Sequence, residues 1–212
     1  MGGVKKEYQK LNDGESALGY SVRSFAAAEF IDTIVIAVPK NGEEEARKAL
    51  PLRYLEAQKP KIVFVTGGST RRASVFNSLV FLASLNPCYV LIHDGARPWI
   101  SAELINNLIE AVQKHDAVIP VLPVTDTPKE LGIKNEDGVF IERHLRRSNV
   151  VSAQTPQAFK FHEILKAHEK AAQVNDEEFT DDAEIWGRFA GKVACISGEA
   201  ANKKITFIED LQ

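Results

Sequence analysis

The stretch HDGARPW, residues 93–99, sets a carboxylate and a guanidinium three positions apart, directly after an apolar run. Asp94 can hold a divalent cation or a ribose hydroxyl, and Arg97 can pair with a phosphate or a carboxylate. The same spacing also allows the two to pair with each other in a turn closed by Pro98, and the residues alone favour neither reading. His93 reads as a strand-end histidine satisfied by its neighbours. A second stretch, VTGGSTRRASV, supplies Gly67 and Gly68 for a tight turn, Ser69 or Thr70 as a helix cap, and Arg71 and Arg72 as added charge. Amides at a helix start favour an anion there. Taken alone, however, an ordinary strand-to-helix turn with two solvated arginines explains it slightly better. In PVTDTPKEL, Thr125, Asp126, Thr127 and Lys129 suit a polyol or phosphate, or simply begin a polar loop. FTDDAEIW and NKKITFIEDL add Thr180, Asp181, Asp182, Lys203 and Lys204, with Asp182 read as an acid complementing a helix dipole. Finally, MGGVKKEYQKL has the glycines and lysines of a phosphate cradle but no strand ahead of it.

These segments need a scaffold that gathers them. The β-branched runs TIVIAV (33–38), KIVFVT (61–66), CYVLIH (88–93) and DAVIPVLPV (116–124) read as buried strands. Between them lie the helical patterns ESALGYSVRSFAAAEF, EEEARKAL, STRRASVFNSLVFLASL and SAELINNLIEAVQKH. In the third helix Val75, Leu79, Leu82 and Leu85 recur at helical spacing, so that stripe is expected against a sheet. Such alternation predicts an α/β fold of three layers, a mostly parallel sheet covered on both faces by helices. Ligands of such sheets bind beyond the carboxyl ends of the strands, where the Gly67, Asp94 and Thr127 segments fall. After Val124 the rhythm breaks. Residues 128–153 hold two strand-like pieces around the turn signal NEDG and read as a projecting β-arm. FHEILKAHEKAA, NDEEFTDDAEIWGRF, KVACISG and KKITFIEDL then resume the alternation.

Composition bounds the classes. With 212 residues, 44% hydrophobic and 26% charged, the chain is expected to form one globular domain over 1–212. A net charge of -3 argues against nucleic acid as a partner. Cys88 and Cys195 have no paired spacing, which fits a reducing, cytoplasmic setting rather than a disulfide framework or zinc site. No apolar run reaches membrane-spanning length.

In order and spacing, GGSTRRASVFNSL, HDGARPW, TDTPKEL, QTPQAF, FTDDA and NKKIT resemble the 2-C-methyl-D-erythritol 4-phosphate cytidylyltransferase family over nearly the whole chain. The family's Gly-rich loop ends in Arg-Met-Gly, followed by Lys-Gln-Tyr or Lys-Gln-Phe. MGGVKKEYQKL looks like the second half of that pattern, with Lys6 in the lysine's place and Glu7 replacing Gln. The resemblance implies a Rossmann-like nucleotidyltransferase fold and transfer of CMP from CTP to the polyol phosphate, with pyrophosphate released, in non-mevalonate isoprenoid synthesis. It implies Mg²⁺ or another divalent cation as cofactor, with Asp94 as its possible ligand. Lys6 and Lys204 would be catalytic. Gly67, Gly68, Ser69 and Ser74 would surround cytosine and ribose, and Asp94 would touch ribose and acceptor. Arg97, Thr127 and Thr180 would hold the acceptor together with Lys204. Arg147 and Thr155, from the arm region, would reach the acceptor phosphate of a neighbouring subunit, so the resemblance also implies a homodimer. Ala200 and Ala201 stand where family members often carry an acid, which removes one polyol hydrogen bond.

The runner-up is ribitol 5-phosphate cytidylyltransferase, whose members tend to have a bulkier residue in the place of Ala96. A non-catalytic nucleotide-binding homologue is the third reading, favoured by the missing first strand. In the family that strand lies mid-sheet. We therefore expect the natural protein to carry an apolar strand and further Gly-rich residues upstream of Met1. Without them we expect a gap in the sheet, weak stability and poor activity.

Overall fold

The computed structural model describes residues 5–174, 179–206 and 210. Met1 to Val4, which carry the first half of the glycine-lysine segment, lie outside the described residues, as do 207–209 and 211 of the closing KKITFIEDL.

The strands are β1 (Thr33–Val38), β2 (Lys61–Thr66), β3 (Tyr89–Ile92), β4 (Ala117–Pro123), β5 (Lys129–Leu131), β6 (Ile141–His144), β7 (Val151–Ala153), β8 (Gln157–Lys160) and β9 (Ala194–Ser197). The helices are α1 (Ala17–Ala27), α2 (Glu43–Lys48), α3 (Leu52–Leu55), α4 (Arg71–Ala83), α5 (Ala102–His115), α6 (Phe161–Ala171) and α7 (Asp182–Phe189). All four strands read from β-branched runs form within their expected bounds. β1 and β2 pair in parallel, Thr33 opposite Lys61 through Val38 opposite Thr66. β3 pairs antiparallel with β8, and β4 pairs antiparallel with β8 and β7 and parallel with β9. Thus β3, β4 and β9 run the same way, with β8 antiparallel between β3 and β4.

Helices cover both faces, and the side-chain alternation of the strands shows why. Val118 and Ala158 turn toward α1 and α5, into a core with Phe25, Leu104, Leu108 and Val112. Their neighbours Ala117 and Phe159 turn the other way, onto Leu79 of α4, Phe161 and Ile164 of α6 and Trp186 of α7. Ile36 and Val38 of β1 pack on Leu18 and Val22 of α1 and Ala46 of α2. The expected α4 stripe is met by Leu79, buried, and by Val75 and Leu82, half-buried. Leu85 departs from it: the helix ends at Ala83, and Leu85 is 51% exposed.

The arm is a separate two-stranded sheet of β5 and β6, with a register shift between Glu130 and Leu131. Its NEDG turn closes by reciprocal backbone bonds between Asn135 and Gly138 of 3.0 and 3.2 Å, and Gly138 takes φ +126. The paired part is shorter than residues 128–153, because Val151–Ala153 belongs to the main sheet as β7. Among the described residues no helix is long and apolar enough to cross a membrane.

Candidate active site

Asp94 leaves the end of β3 and is held by a relay of neutral groups. Its backbone N–H donates to Thr155 Oγ1 at 3.1 Å. Thr155 Oγ1 lies 3.1 Å from His93 Nδ1, and His93 Nε2 lies 3.1 Å from the Arg97 carbonyl. A carbonyl can only accept, so the proton sits on Nε2, Nδ1 is the acceptor, and the Thr155 hydroxyl donates to it. Burial pushes the His93 ring down to about 4, which keeps it neutral at pH 7. As read from sequence, His93 is a satisfied strand-end histidine. Thr155 is 6% exposed, and its hydroxyl is engaged with His93 and the Asp94 backbone, so it holds the turn from behind.

The Asp94 carboxylate faces cations from three segments. Arg71 Nε lies 3.1 Å from Oδ1, Lys204 Nζ 2.9 Å from Oδ2, and Arg97 Nε 3.9 Å from Oδ2. Burial alone would raise this carboxyl, but the hydrogen bond from Lys204 and the charge of Arg71 outweigh it and hold the group at about 2. Arg97 is more than a partner of Asp94, since its Nη1 donates to the Asn202 carbonyl at 2.8 Å. Asn202 is buried and donates through Nδ2 to the Thr155 carbonyl at 2.8 Å. Ile205 N–H donates to the Ala96 carbonyl at 2.8 Å, which lays the Lys204 segment along the Asp94 turn. Lys6, the first residue of a 3₁₀ turn (Lys6–Tyr8), donates to the Thr206 carbonyl at 2.6 Å and so stands in the same neighbourhood.

Arg71 reaches past Asp94. Its Nη2 is 2.8 Å from Asp182 Oδ2, and Asp182 Oδ1 is 3.2 Å from His168 Nε2. Asp182 and His168 are both buried in the α6–α7 layer. The sequence reading of Asp182 as a dipole complement is therefore corrected: it is a buried anchor for a site arginine. Asp181 fills the cap instead, accepting from Glu184 N–H at 2.8 Å. Neither arginine of the pair hangs free: Arg71, though partly exposed, is tied to Asp94 and Asp182, and Arg72 Nη1 donates to the Ala171 carbonyl at 2.7 Å, at the end of α6. Arg71 and His168 were invisible as partners of Asp182, for they reach it only through the packing of α4, α6 and α7.

The glycine loop is compact. Gly67 N–H donates to the Val38 carbonyl at 2.7 Å, Gly68 N–H to Ser74 Oγ at 3.1 Å, and Thr70 caps α4 by accepting from Ala73 N–H at 3.1 Å. A Cβ on Gly68 would lie 2.3 Å from Ala73 Cβ, so the loop can sit on the first turn of α4 only with glycine there. Ser69 is exposed beside it. Three expected residues fall elsewhere. Arg147 donates to the Thr125 carbonyl at 2.6 Å at the base of the arm, near exposed Thr127. Thr180 bonds through N–H and Oγ1 to Glu184 Oε2, both at 2.7 Å, at the start of α7. No hydrogen bond among the described residues joins these three to Asp94.

Among the described residues no group of three or more His, Cys, Asp or Glu could hold a metal ion. A resident, all-protein cage therefore does not fit. One ionised carboxylate, Asp94, does fit Mg²⁺ carried largely by substrate phosphates, which is how that ion usually binds.

The family model for IspD, 2-C-methyl-D-erythritol 4-phosphate cytidylyltransferase, matches residues 1–212. The chain belongs to the IspD family. A bifunctional enzyme IspD/IspF of Brucella abortus is 36% identical over 209 residues, 98% of this chain and 50% of that protein. The chain thus spans about half the length of the curated relatives it matches. Among solved IspD structures, 4-diphosphocytidyl-2C-methyl-D-erythritol synthase of Anaerococcus prevotii is 32% identical with a TM-score of 0.79, over 93% of this chain and 83% of that one. The 2-C-methyl-D-erythritol 4-phosphate cytidylyltransferase of Thermus thermophilus is 30% identical with a TM-score of 0.72, over 97% and 90%. IspD membership agrees with the layered α/β architecture and with a cation-rich cluster at a strand's carboxyl end.

Proposed function

We propose that this chain transfers CMP from CTP to 2-C-methyl-D-erythritol 4-phosphate and releases pyrophosphate. The observation that carries the reading is Asp94, kept ionised at the end of β3 beneath Arg71 and Lys204. With Lys6 and Arg97 close by, cations outnumber carboxylates there, which suits the meeting of two anionic phosphates.

In this reading the acceptor phosphate attacks the α-phosphorus of CTP in line, and the bond to the pyrophosphate oxygen breaks. No covalent protein intermediate is required; positioning and charge neutralisation carry the step. Lys6 and Lys204 would stabilise charge on the reacting phosphates. Gly67, Gly68, Ser69 and Ser74 would border the base and ribose. Arg97, Thr127 and Thr180 would face the acceptor. Mg²⁺, held by Asp94 and the phosphates, would supply charge neutralisation when bound. We place the reaction in the cytoplasm, in keeping with two free cysteines.

The arm would bring two copies together. Ile133 is 94% exposed, and Leu131, Phe140 and Ile141 are also exposed along the arm, in its two strands and the connection between them, an apolar surface that a second copy would cover. Arg147 at its base would then enter the neighbour's site. The test is pyrophosphate release with CTP, Mg²⁺ and either methylerythritol phosphate, ribitol 5-phosphate or no acceptor. Release only with methylerythritol phosphate supports the proposal; release with ribitol 5-phosphate alone reassigns the acceptor.

A further inference from the structure

The stretch QTPQAF buries two glutamines beside the Asp94 turn, Gln154 at 5% exposed and Gln157 at 1%. A buried amide needs partners for both its N–H and C=O groups, and these two find them on different segments. Gln157 Nε2 donates to Asp181 Oδ2 at 2.8 Å, and its Oε1 accepts from Ala183 N–H at 2.9 Å, which fixes the start of α7. Gln154 turns instead to the loop after β9. Its Oε1 accepts from Glu199 N–H at 3.1 Å, and its Nε2 donates to the Glu199 carbonyl at 2.9 Å and the Asn202 carbonyl at 3.2 Å. One side chain thus satisfies both main-chain groups of Glu199, as a paired strand would.

The loop returns the grip. Asn202 donates through Nδ2 to the Thr155 carbonyl, so the side chain of 154 holds the backbone of 199 and 202 while the side chain of 202 holds the backbone of 155. The junction of this clasp is the Asn202 carbonyl, which accepts from Gln154 and also from Arg97 Nη1. The loop's entry is shaped to match. Gly198 N–H donates to the Val121 carbonyl at 2.8 Å, and a Cβ on Gly198 would run into Gln154 Oε1. The Glu199 carboxylate points away, onto Ser101 at the start of α5. Lys204 follows two residues after the clasp, and its side chain is 48% exposed. Its place over Asp94 is therefore set by the course of the backbone, from the clasp at Asn202 to the Ile205 bond on Ala96.

We propose that Gln154 is a positioning residue, whose amide, clasped with Asn202, sets the loop that presents Lys204, and with it Arg97, to Asp94 and the reacting phosphates. The kinetic consequence rests on the reaction proposed above; the placement of Lys204 does not. Methionine at 154 keeps the length but leaves the Glu199 N–H and C=O without their partner. Glutamate keeps the size and the acceptor but sets carboxylate oxygen against two carbonyl oxygens. A displacement of about 1 Å at a reacting group costs on the order of 10²-fold in rate. The Ile205 anchor limits the shift here, so a loss of about tenfold is expected.

Two measurements on Gln154→Met, Gln154→Glu and the buried-amide control Gln157→Met test this. The first, without substrate, is acetylation of Lys204 by an N-hydroxysuccinimide ester, read by mass spectrometry against Lys114. Both Gln154 variants should raise the Lys204 rate about threefold or more, the scale of one partly exposed ion pair released, and Gln157→Met should leave it at the parent value. The second is steady-state kinetics with CTP, Mg²⁺ and methylerythritol phosphate. Turnover should fall about tenfold in the Gln154 variants, with the KM for CTP held within about twofold. Unchanged Lys204 labelling in folded Gln154 variants overturns the proposal, as does equal release of Lys204 in Gln157→Met or unchanged turnover with Lys204 released. Should Gln154→Met unfold, Gln154→Glu carries both measurements, and loss of the fold in both makes the amide structural and overturns the proposal too. A parent without transferase activity sinks the reaction instead, and the labelling alone then decides the clasp.

Discussion

Lys204 Nζ lies 2.9 Å from Asp94 Oδ2, tying a segment near the end of the chain to the tip of β3. The pair is what keeps Asp94 ionised while largely buried, together with Arg71. Replacing Lys204 by Met should lower turnover by on the order of 10²-fold, the typical loss of one preorganised charge contact. Steady-state kinetics check this, and unchanged turnover would reduce the pair to a structural tie.

Asp182→Asn removes the charge that holds Arg71 from behind. The side-chain hydrogen bond to His168 can persist, so we expect a modest stability loss of about 1–3 kcal/mol by urea denaturation. Turnover should fall as well, because Arg71 is then held by Asp94 alone. If stability falls while kinetics stay intact, Arg71 has no part in the chemistry.

Acid should destabilise the fold in two steps. His93 is pushed down from its ordinary value of 6.5 to about 4, so the folded state resists a proton that the unfolded chain accepts. Stability therefore drops as pH falls from about 6.5 to 4, by on the order of 3 kcal/mol at most. Asp94 is depressed to about 2, so its contribution is present above pH 4 and is lost as pH falls toward 2. Urea midpoints of the parent and of His93→Gln, measured at pH 7 and pH 4.5, separate the first step. The variant should lose less between the two pH values.

The proposal that two copies share their sites makes a subunit-mixing prediction. Arg147→Ala and Lys6→Ala homodimers should each be poorly active. Mixed dimers contain one site lacking both groups and one lacking neither, so activity should return toward a quarter of the parent value in a statistical mixture. Absence of any recovery after exchange would mean that each site is built from a single chain.

Much of the fold was legible because strands buried on both faces are written as unbroken β-branched runs. TIVIAV, KIVFVT and the runs leading to Asp94 and Pro123 needed no tertiary information. β8 was harder to see: Gln157–Lys160 is short and follows the arm, and only its place between β3 and β4 makes it a strand. At the site, Asp94, Arg97 and Lys204 were legible from position and family resemblance. Asp182 and His168 were not, because the carboxylate's meaning rests on Arg71, 111 positions away, and on packing between α4, α6 and α7. The inward turn of Thr155 onto His93 was hidden for a related reason, since it rests on a contact between residues 62 positions apart.

The most direct measurement follows the phosphorus atoms. ³¹P NMR of the protein would be recorded with CTP, Mg²⁺ and 2-C-methyl-D-erythritol 4-phosphate. The expected result is a new pair of diphosphate-diester resonances growing in step with free pyrophosphate and absent when the acceptor is omitted. CTP left intact with the acceptor and Mg²⁺ present would contradict the proposed transfer.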